Sequence, residues 1–307
     1  MHCLTRPIAG LILLSLTFLG SGCSKNLLKT LPPTLDQVKS AKGYVHQVAA
    51  VLTLPPADTV GTAAGQLYFS SLIKAVRAED GRSRLLTLQD SDFPEFLAAL
   101  AVSPRKAIDS AALCAKGRAA GYQGLLVASL DDIHIATKRV GFFWFRNTRY
   151  YMHFHVTADL YDPYTGAKVL SLVEESATRI DEDDYESYNM GMTSSFEQLD
   201  EEIEDVAEDL GETVGEALED LQWKTAVVAV EGDRLILPAG RRSGMTVGDQ
   251  LTLFEGRQLE AQQGRKFVIP GFKVAEARVT RVDEQAAEAQ VQGSEAVHIG
   301  DIAVPVR

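Results

Sequence analysis

The sequence predicts an α+β protein: a mixed-sheet α/β domain, an acidic amphipathic helix, and a small all-β barrel at the C-terminus. Three observations predict it. Over residues 44–180, apolar runs alternate between period two and helical spacing in the order β-α-β-α-β-β, which calls for a mixed sheet with helices packed on it. Between Asp181 and Asp220 stand 17 acidic residues and no Lys or Arg, threaded by a single apolar stripe. From Thr225 onward, short alternating strands separated by Gly-Asp turns replace the helical pattern. The chain's 307 residues suffice for two modest domains. Its 46% hydrophobic and 23% charged content suits a folded soluble body.

The N-terminus is read separately. Met1 to Arg6 is a short basic start, Ile8 to Leu19 is almost uniformly apolar, and Leu19-Gly20-Ser21-Gly22-Cys23 ends in small residues and a cysteine. That order is a secretory signal, too short to remain as a spanning helix. It resembles the lipobox of bacterial lipoproteins, with Gly20 where the family prefers leucine and Leu19 one place early. The resemblance implies acylation of Cys23, cleavage before it, and Cys23 as the first mature residue. Ser24 in place of aspartate implies delivery to the outer membrane, facing the periplasm. The alternative is an ordinary signal peptide that happens to contain a cysteine. The expected plan is a signal peptide over 1–22 and a tether over 23–43, including Pro32-Pro33, with a reach of roughly 25 Å.

The α/β domain is expected over 44–180. Tyr44 to Leu54 is a β-rich run stopped by Pro55-Pro56, and Ala63 to Val76 carries Leu67, Phe69, Leu72, Ile73 and Val76 at near-helical spacing. Arg84 to Leu88 reads as a short strand, Phe93 to Leu100 as a helical turn or two, and Ile108 to Ala120 as a helix ended by Gly121. Leu125 to Ile135 and Arg149 to Asp162 read as antiparallel strands, and Tyr164-Thr165-Gly166 turns the chain into Lys168 to Ile180. Val51-Leu52-Thr53-Leu54-Pro55, Ser70-Ser71-Leu72-Ile73 and the run from Ala158 to Gly166 resemble the TolB N-terminal-like domain. Curli secretion-channel lipoproteins and periplasmic activators of cell-wall synthases share that domain.

An acidic helical segment is expected over 181–223. Ser195 with Gln198 forms a capping-box pattern. Phe196, Leu199, Ile203, Val206, Leu210, Val214, Leu218 and Leu221 then recur at spacings of three and four, one stripe on a helix of about seven turns. Such a helix lies on the first domain's sheet or bridges two domains; the alternative is a helix facing a subunit or partner. The net charge of −12 resides largely in this segment, which argues against nucleic acid as its partner.

The barrel is expected over 224–307. Ala226 to Val230 and Arg234 to Leu237 make a hairpin, followed by strands at Gln250 to Phe254, Lys273 to Val282, Ala286 to Val291 and Asp301 to Val306. Two turns look alike, Gly244 to Asp249 and Ala296 to Asp301, each placing a glycine and an aspartate just before a strand. Asp249 and Asp301 read as structural turn caps. A small barrel of SH3 type follows. Val228 to Leu237, Ala239 to Asp249 and His298-Ile299-Gly300-Asp301 resemble the C-terminal domain of flagellar assembly protein T. That family's periplasmic protein helps build a ring around the sodium-driven flagellar motor.

Catalytic patterns are absent from the sequence: no HExxH, P-loop, dinucleotide fingerprint or paired cysteines. Cys114, in a small-residue helical stretch, reads as a buried, inert thiol. His153 and His155 share one strand face, as a metal would require, with His134 on the neighbouring strand a third imidazole by guess. The competing reading is a polar sheet face, and no metal is assigned. Phe142, Phe143, Trp144 and Phe145 form an aromatic run at the tip between two strands, flanked by Lys138, Arg139, Arg146 and Arg149. Rings beside cations suit a partner surface or a lipid–water interface; the competing reading is a loop folded onto its own core.

The expected function is non-enzymatic, with no cofactor beyond the covalent lipid on Cys23. The resemblances imply a membrane-anchored scaffold or assembly factor for an envelope protein complex, a flagellar-type ring or secretion apparatus, packing into a homo-oligomeric ring and binding no nucleic acid. A regulator of a peptidoglycan synthase is the alternative, disfavoured by the short tether. A secretion-channel subunit ranks last, because Val140 to Phe145 is too short for a spanning strand.

Overall fold

Strand β1 (His46–Thr53) is buried along nearly its whole length, as a strand covered on both faces must be. In the computed structural model its Val48, Ala50 and Leu52 enter one apolar core, while Ala49 and Val51 enter another on the opposite face. The structure describes residues 43–53, 59–101, 108–191, 196–261, 266–293 and 296–306; Cys23, the tether and Ser195 lie outside them. β2 (Ser83–Leu86) and β3 (Gly124–Val140) run parallel to β1, and β4 (Asn147–Asp162) and β5 (Ala167–Ile180) follow antiparallel. The sheet order β2-β1-β3-β4-β5 is the mixed sheet that the alternating periods imply.

Helix α1 (Thr59–Glu79) and the acidic helix α5 (Glu197–Asp220) cover one face. α2 (Glu95–Ala101) and α3 (Ser110–Ala119) cover the other, over Leu125, Val127 and Tyr161. The stripe on α5 is buried at Leu199, Ile203, Ala207, Leu210, Val214 and Leu218, so the acidic helix belongs to the core of the first module. Its start differs from the capping-box expectation. Phe196, buried and extended, occupies the cap position without a side-chain bond, and Gln198 falls one place too early to serve as the box's return partner. The Phe196 ring is buried at the helix entry, and the Ser195 half of the expected box lies outside the described residues. A separate short helix, α4 (Glu182–Asn189), capped by Asp181, precedes it.

The second module closes on itself. Its strands are β6 (Thr225–Ala226), β7 (Ala229–Glu231), β8 (Arg234–Leu237), β9 (Gln250–Glu260), β10 (Lys266–Val282), β11 (Ala287–Gln292) and β12 (Ile302–Val306), in the order β6-β12-β9-β10-β11-β8-β7. The two end strands are halves of one run. Val227 N donates to Asp301 O (2.8 Å) on one side and Val228 N to Ile236 O (2.9 Å) on the other, so residues 225–231 join both sheet edges into a barrel. The look-alike turns are equivalent. Asp249 Oδ2 accepts from Thr246 N and Asp301 Oδ2 from His298 N, each at 2.8 Å, and Gly248 and Gly300 take φ of 99° and 97°. β9 and β10 run longer than their apolar patterns suggest, with a bulge after Pro270, the position a strand proline tolerates.

Helices α1 and α5 approach closely at Gly211 and Gly215. A Cβ on Gly211 would strike Ala75 Cβ and come within 3.0 Å of Leu72 O; one on Gly215 would lie 2.6 Å from Glu79 Cβ. Gly211→Ala should therefore destabilise by about 1–3 kcal/mol through overpacking, although alanine is the better helix former by about 1 kcal/mol. Urea unfolding midpoints of the two proteins check this.

Candidate functional site

The junction between the modules is polar and hydrogen-bonded. Asp162, at the end of β4, closes the hairpin turn: Oδ1 accepts from Tyr164 N (2.8 Å) and Oδ2 from Thr165 Oγ1 (3.0 Å). The same Oδ2 accepts from Lys224 Nζ at 2.8 Å, where the chain leaves α5 and enters the barrel. Their side chains are 4% and 10% exposed, so this is a buried ion pair. Tyr164, wholly buried beneath Lys224, has its hydroxyl near Thr225 and Gln123, and burial raises its pKa.

Gln47 and Gln123 extend this network. Gln47 N donates to Gln123 Oε1 (2.6 Å), Gln123 Nε2 donates to Lys224 O (3.3 Å), and Gln47 Nε2 donates to Arg242 O (2.8 Å) in the barrel. Trp223 fills the barrel core, lies 4.7 Å from the Tyr44 ring and donates Nε1–H to Val45 O (3.2 Å). Tyr44 OH donates to Asp249 Oδ2 (2.7 Å). Beside these contacts a cleft of about 460 Å³ is crossed by Asp92, which pairs with Arg84 (2.8 Å) and with Arg242 of the barrel. Burial opposes the Asp92 charge, but the Arg84 hydrogen bond and both guanidinium charges outweigh it and hold its pKa below the usual carboxylate value.

The aromatic run sits at the end of a projecting ribbon. β5 stops at Ile180, opposite Tyr150; beyond that only β3 and β4 pair, Lys138 with Arg149, Arg139 with Thr148 and Val140 with Asn147. Phe142, Phe143, Trp144 and Phe145 are 76, 64, 82 and 76% exposed. The loop does not fold back onto a core; its rings touch one another, Phe142 edge-on to Phe143 at 4.5 Å.

His153 and His155 lie on the wetter face of β4, with Met152, Phe154 and Val156 buried behind them. His134 is paired across from His153, their rings stacked at 5.3 Å. His134 Nδ1 is 3.0 Å from Asp132 Oδ2, and His153 Nδ1 is 4.0 Å from Glu175 Oε1. Among the described residues no group of three or more His, Cys, Asp or Glu is arranged to hold a metal ion. Cys114 is buried, and burial pushes its thiol up to about 12, leaving little thiolate near neutral pH. Sequence reasoning did not single out the junction residues Gln47, Gln123, Trp223 and Lys224. The available signal was Trp223-Lys224, where the first cation appears after 17 acidic residues.

Part of the barrel is similar to a known family. Residues 232–305 match the family model described as flagellar assembly protein T, C-terminal domain. No curated protein sequence matches the chain. Similar solved structures include the hypothetical protein CT253 from Chlamydia trachomatis, at 11% identity and TM-score 0.34, covering 56% of this chain and 96% of that one. The PelC dodecamer from Paraburkholderia phytofirmans is 18% identical, TM-score 0.30, covering 60% and 94%. Lipoprotein GNA1162 from Neisseria meningitidis is 9% identical, TM-score 0.28, covering 48% and 94%.

Two predictions follow from the junction. Lys224→Met strands the Asp162 carboxylate and should cost about 3–5 kcal/mol, and Asp162→Asn added to it should recover part of that loss; denaturant midpoints of the single and double variants decide. His46 is buried without a well-formed side-chain hydrogen bond, and burial, helped by Arg82 and Lys224 against the pull of Asp80 and the Leu221 carbonyl, lowers its pKa below 6.5. The unfolded chain therefore takes up this proton first. The stability contribution is full above the ordinary value and is lost as pH falls through the folded one. Thermal midpoints recorded downward from neutral pH should fall less steeply in His46→Leu than in the parent.

Proposed function

We propose that the chain is an outer-membrane lipoprotein, anchored through acyl groups on Cys23 and facing the periplasm, that serves without catalysis as a scaffold or assembly factor. Its client is an envelope machine of the flagellar-ring or secretion kind. The observation that carries this reading is the match of the barrel to the C-terminal domain of flagellar assembly protein T. Lipoprotein-type modification supplies more than one acyl chain, which stable anchoring requires. The bonded junction would present barrel and sheet as one surface. β5, with Val169 and Val173 exposed, has no further strand paired on its outer side among the described residues, an edge that a second copy could use. Heterologous contacts of that kind close into a homo-oligomeric ring when the rotation permits.

Crosslinking in intact cells, followed by purification of the acylated protein and identification of its neighbours, tests the proposal. Ladders of self-crosslinks together with basal-body or secretion components are expected. A single copy crosslinked to a peptidoglycan synthase would overturn the scaffold reading in favour of a regulator.

A further inference from the structure

We propose that the tip of the β3–β4 ribbon is a second membrane contact, a wedge that seats Phe142, Phe143, Trp144 and Phe145 in the interface of an anionic phospholipid bilayer. This contact depends on the ribbon alone and not on the assembly role.

Residues 141–149 are all exposed, so nothing among the described residues buries this hydrophobic run. The loop is nonetheless built. Phe145 N donates to Phe142 O (3.1 Å), Gly141 takes φ 119°, and Phe143 takes φ 49°, the single positive value at a non-glycine among the described residues. A bulky residue held in that region is strained, and such strain concentrates at functional sites.

Charge selects the occupant. Residues 138–149 carry Lys138, Arg139, Arg146 and Arg149 and no acidic residue, in a chain of net charge −12. None of the four forms an ion pair among the described residues, so all four are available to anionic headgroups. Aromatic rings at headgroup depth with cations just behind them are the arrangement that interface favours.

The acidic body is kept back. α4, with Glu182, Asp183, Asp184 and Glu186, packs at the ribbon's root through Tyr185 stacked on Tyr150 at 4.1 Å. Three further residue pairs separate that root from the turn, about 10 Å at strand rise, comparable to the Debye length at physiological salt. The cations reach the surface while the α4 carboxylates remain screened from it. Three pairs are far short of a spanning strand, so the tip rests in one leaflet.

The chain reports on itself, because it has two tryptophans, Trp144 at the tip and Trp223 at 2% exposure in the barrel core. The full chain is reconstituted in phosphatidylcholine vesicles with and without phosphatidylglycerol. The emission should shift to the blue in the anionic vesicles, acyl-brominated lipid should quench it there, and Trp144→Phe should abolish that quenching. Replacing the four cations by glutamine should reduce the docked population by about fivefold per cation. Phe143→Ser/Trp144→Ser should keep the parent circular dichroism and thermal midpoint. Three results would overturn the proposal: Trp144 open to acrylamide and indifferent to brominated lipid; Trp144 shielded in lipid-free solution by self-association or an added protein, which marks a protein-docking tip; or unfolding of the serine variant, which marks the loop as core.

Discussion

The Asp162–Lys224 pair sets the geometry on which the rest of the molecule depends. Two charges taken from water are stabilised only when paired and otherwise fully bonded. Asp162 meets that condition, since its carboxylate accepts from Tyr164 N, Thr165 Oγ1 and Lys224 Nζ. One residue thereby closes the last hairpin of the sheet and holds the first residue of the barrel. An apolar contact of equal volume could match its stability but would not fix direction. Around the pair, the two glutamines, Trp223 and the Tyr44–Asp249 bond repeat the same connection through amide, indole and phenol donors.

This constraint reaches the far end of the sheet along β3 and β4. β4 begins at the aromatic tip and ends at Asp162, so one 16-residue strand carries both. At about 3.3 Å per residue, tip and junction lie some 50 Å apart on one strand. Helices α1 and α5 stiffen the middle of the sheet by covering one face, with Gly211 and Gly215 allowing their close approach. Charge is arranged along the same axis: four cations on the ribbon, none ion-paired among the described residues, the acidic α4 at its root, and the acidic surface of α5 on the body.

Much of this was legible in the sequence. The period of three and four from Leu199 to Leu218 identifies α5 and its buried side, because a helix with one apolar stripe has one place to put it. The paired Gly-Asp turns and alternating strands identify the barrel. The ribbon's composition is equally plain, but exposure is a tertiary property: four aromatics read the same whether they fill a core or leave it, and only the end of β5 opposite Tyr150 shows that nothing covers them. Junction residues are illegible for a related reason. Gln47, Gln123 and Lys224 are ordinary surface residues by type, and they become buried only because two modules meet over them. At the start of α5 the buried Phe196 takes the cap position, a placement that its side-chain type does not announce. The histidine face is visible by alternation, while the distances that would make it a ligand set are not.

All described residues fall within one compact unit, and the bonded junction should make sheet and barrel unfold together. Differential scanning calorimetry of the intact chain tests it most directly. One transition with calorimetric and van't Hoff enthalpies in agreement is the predicted result. Two resolved transitions, one for each module, would contradict it.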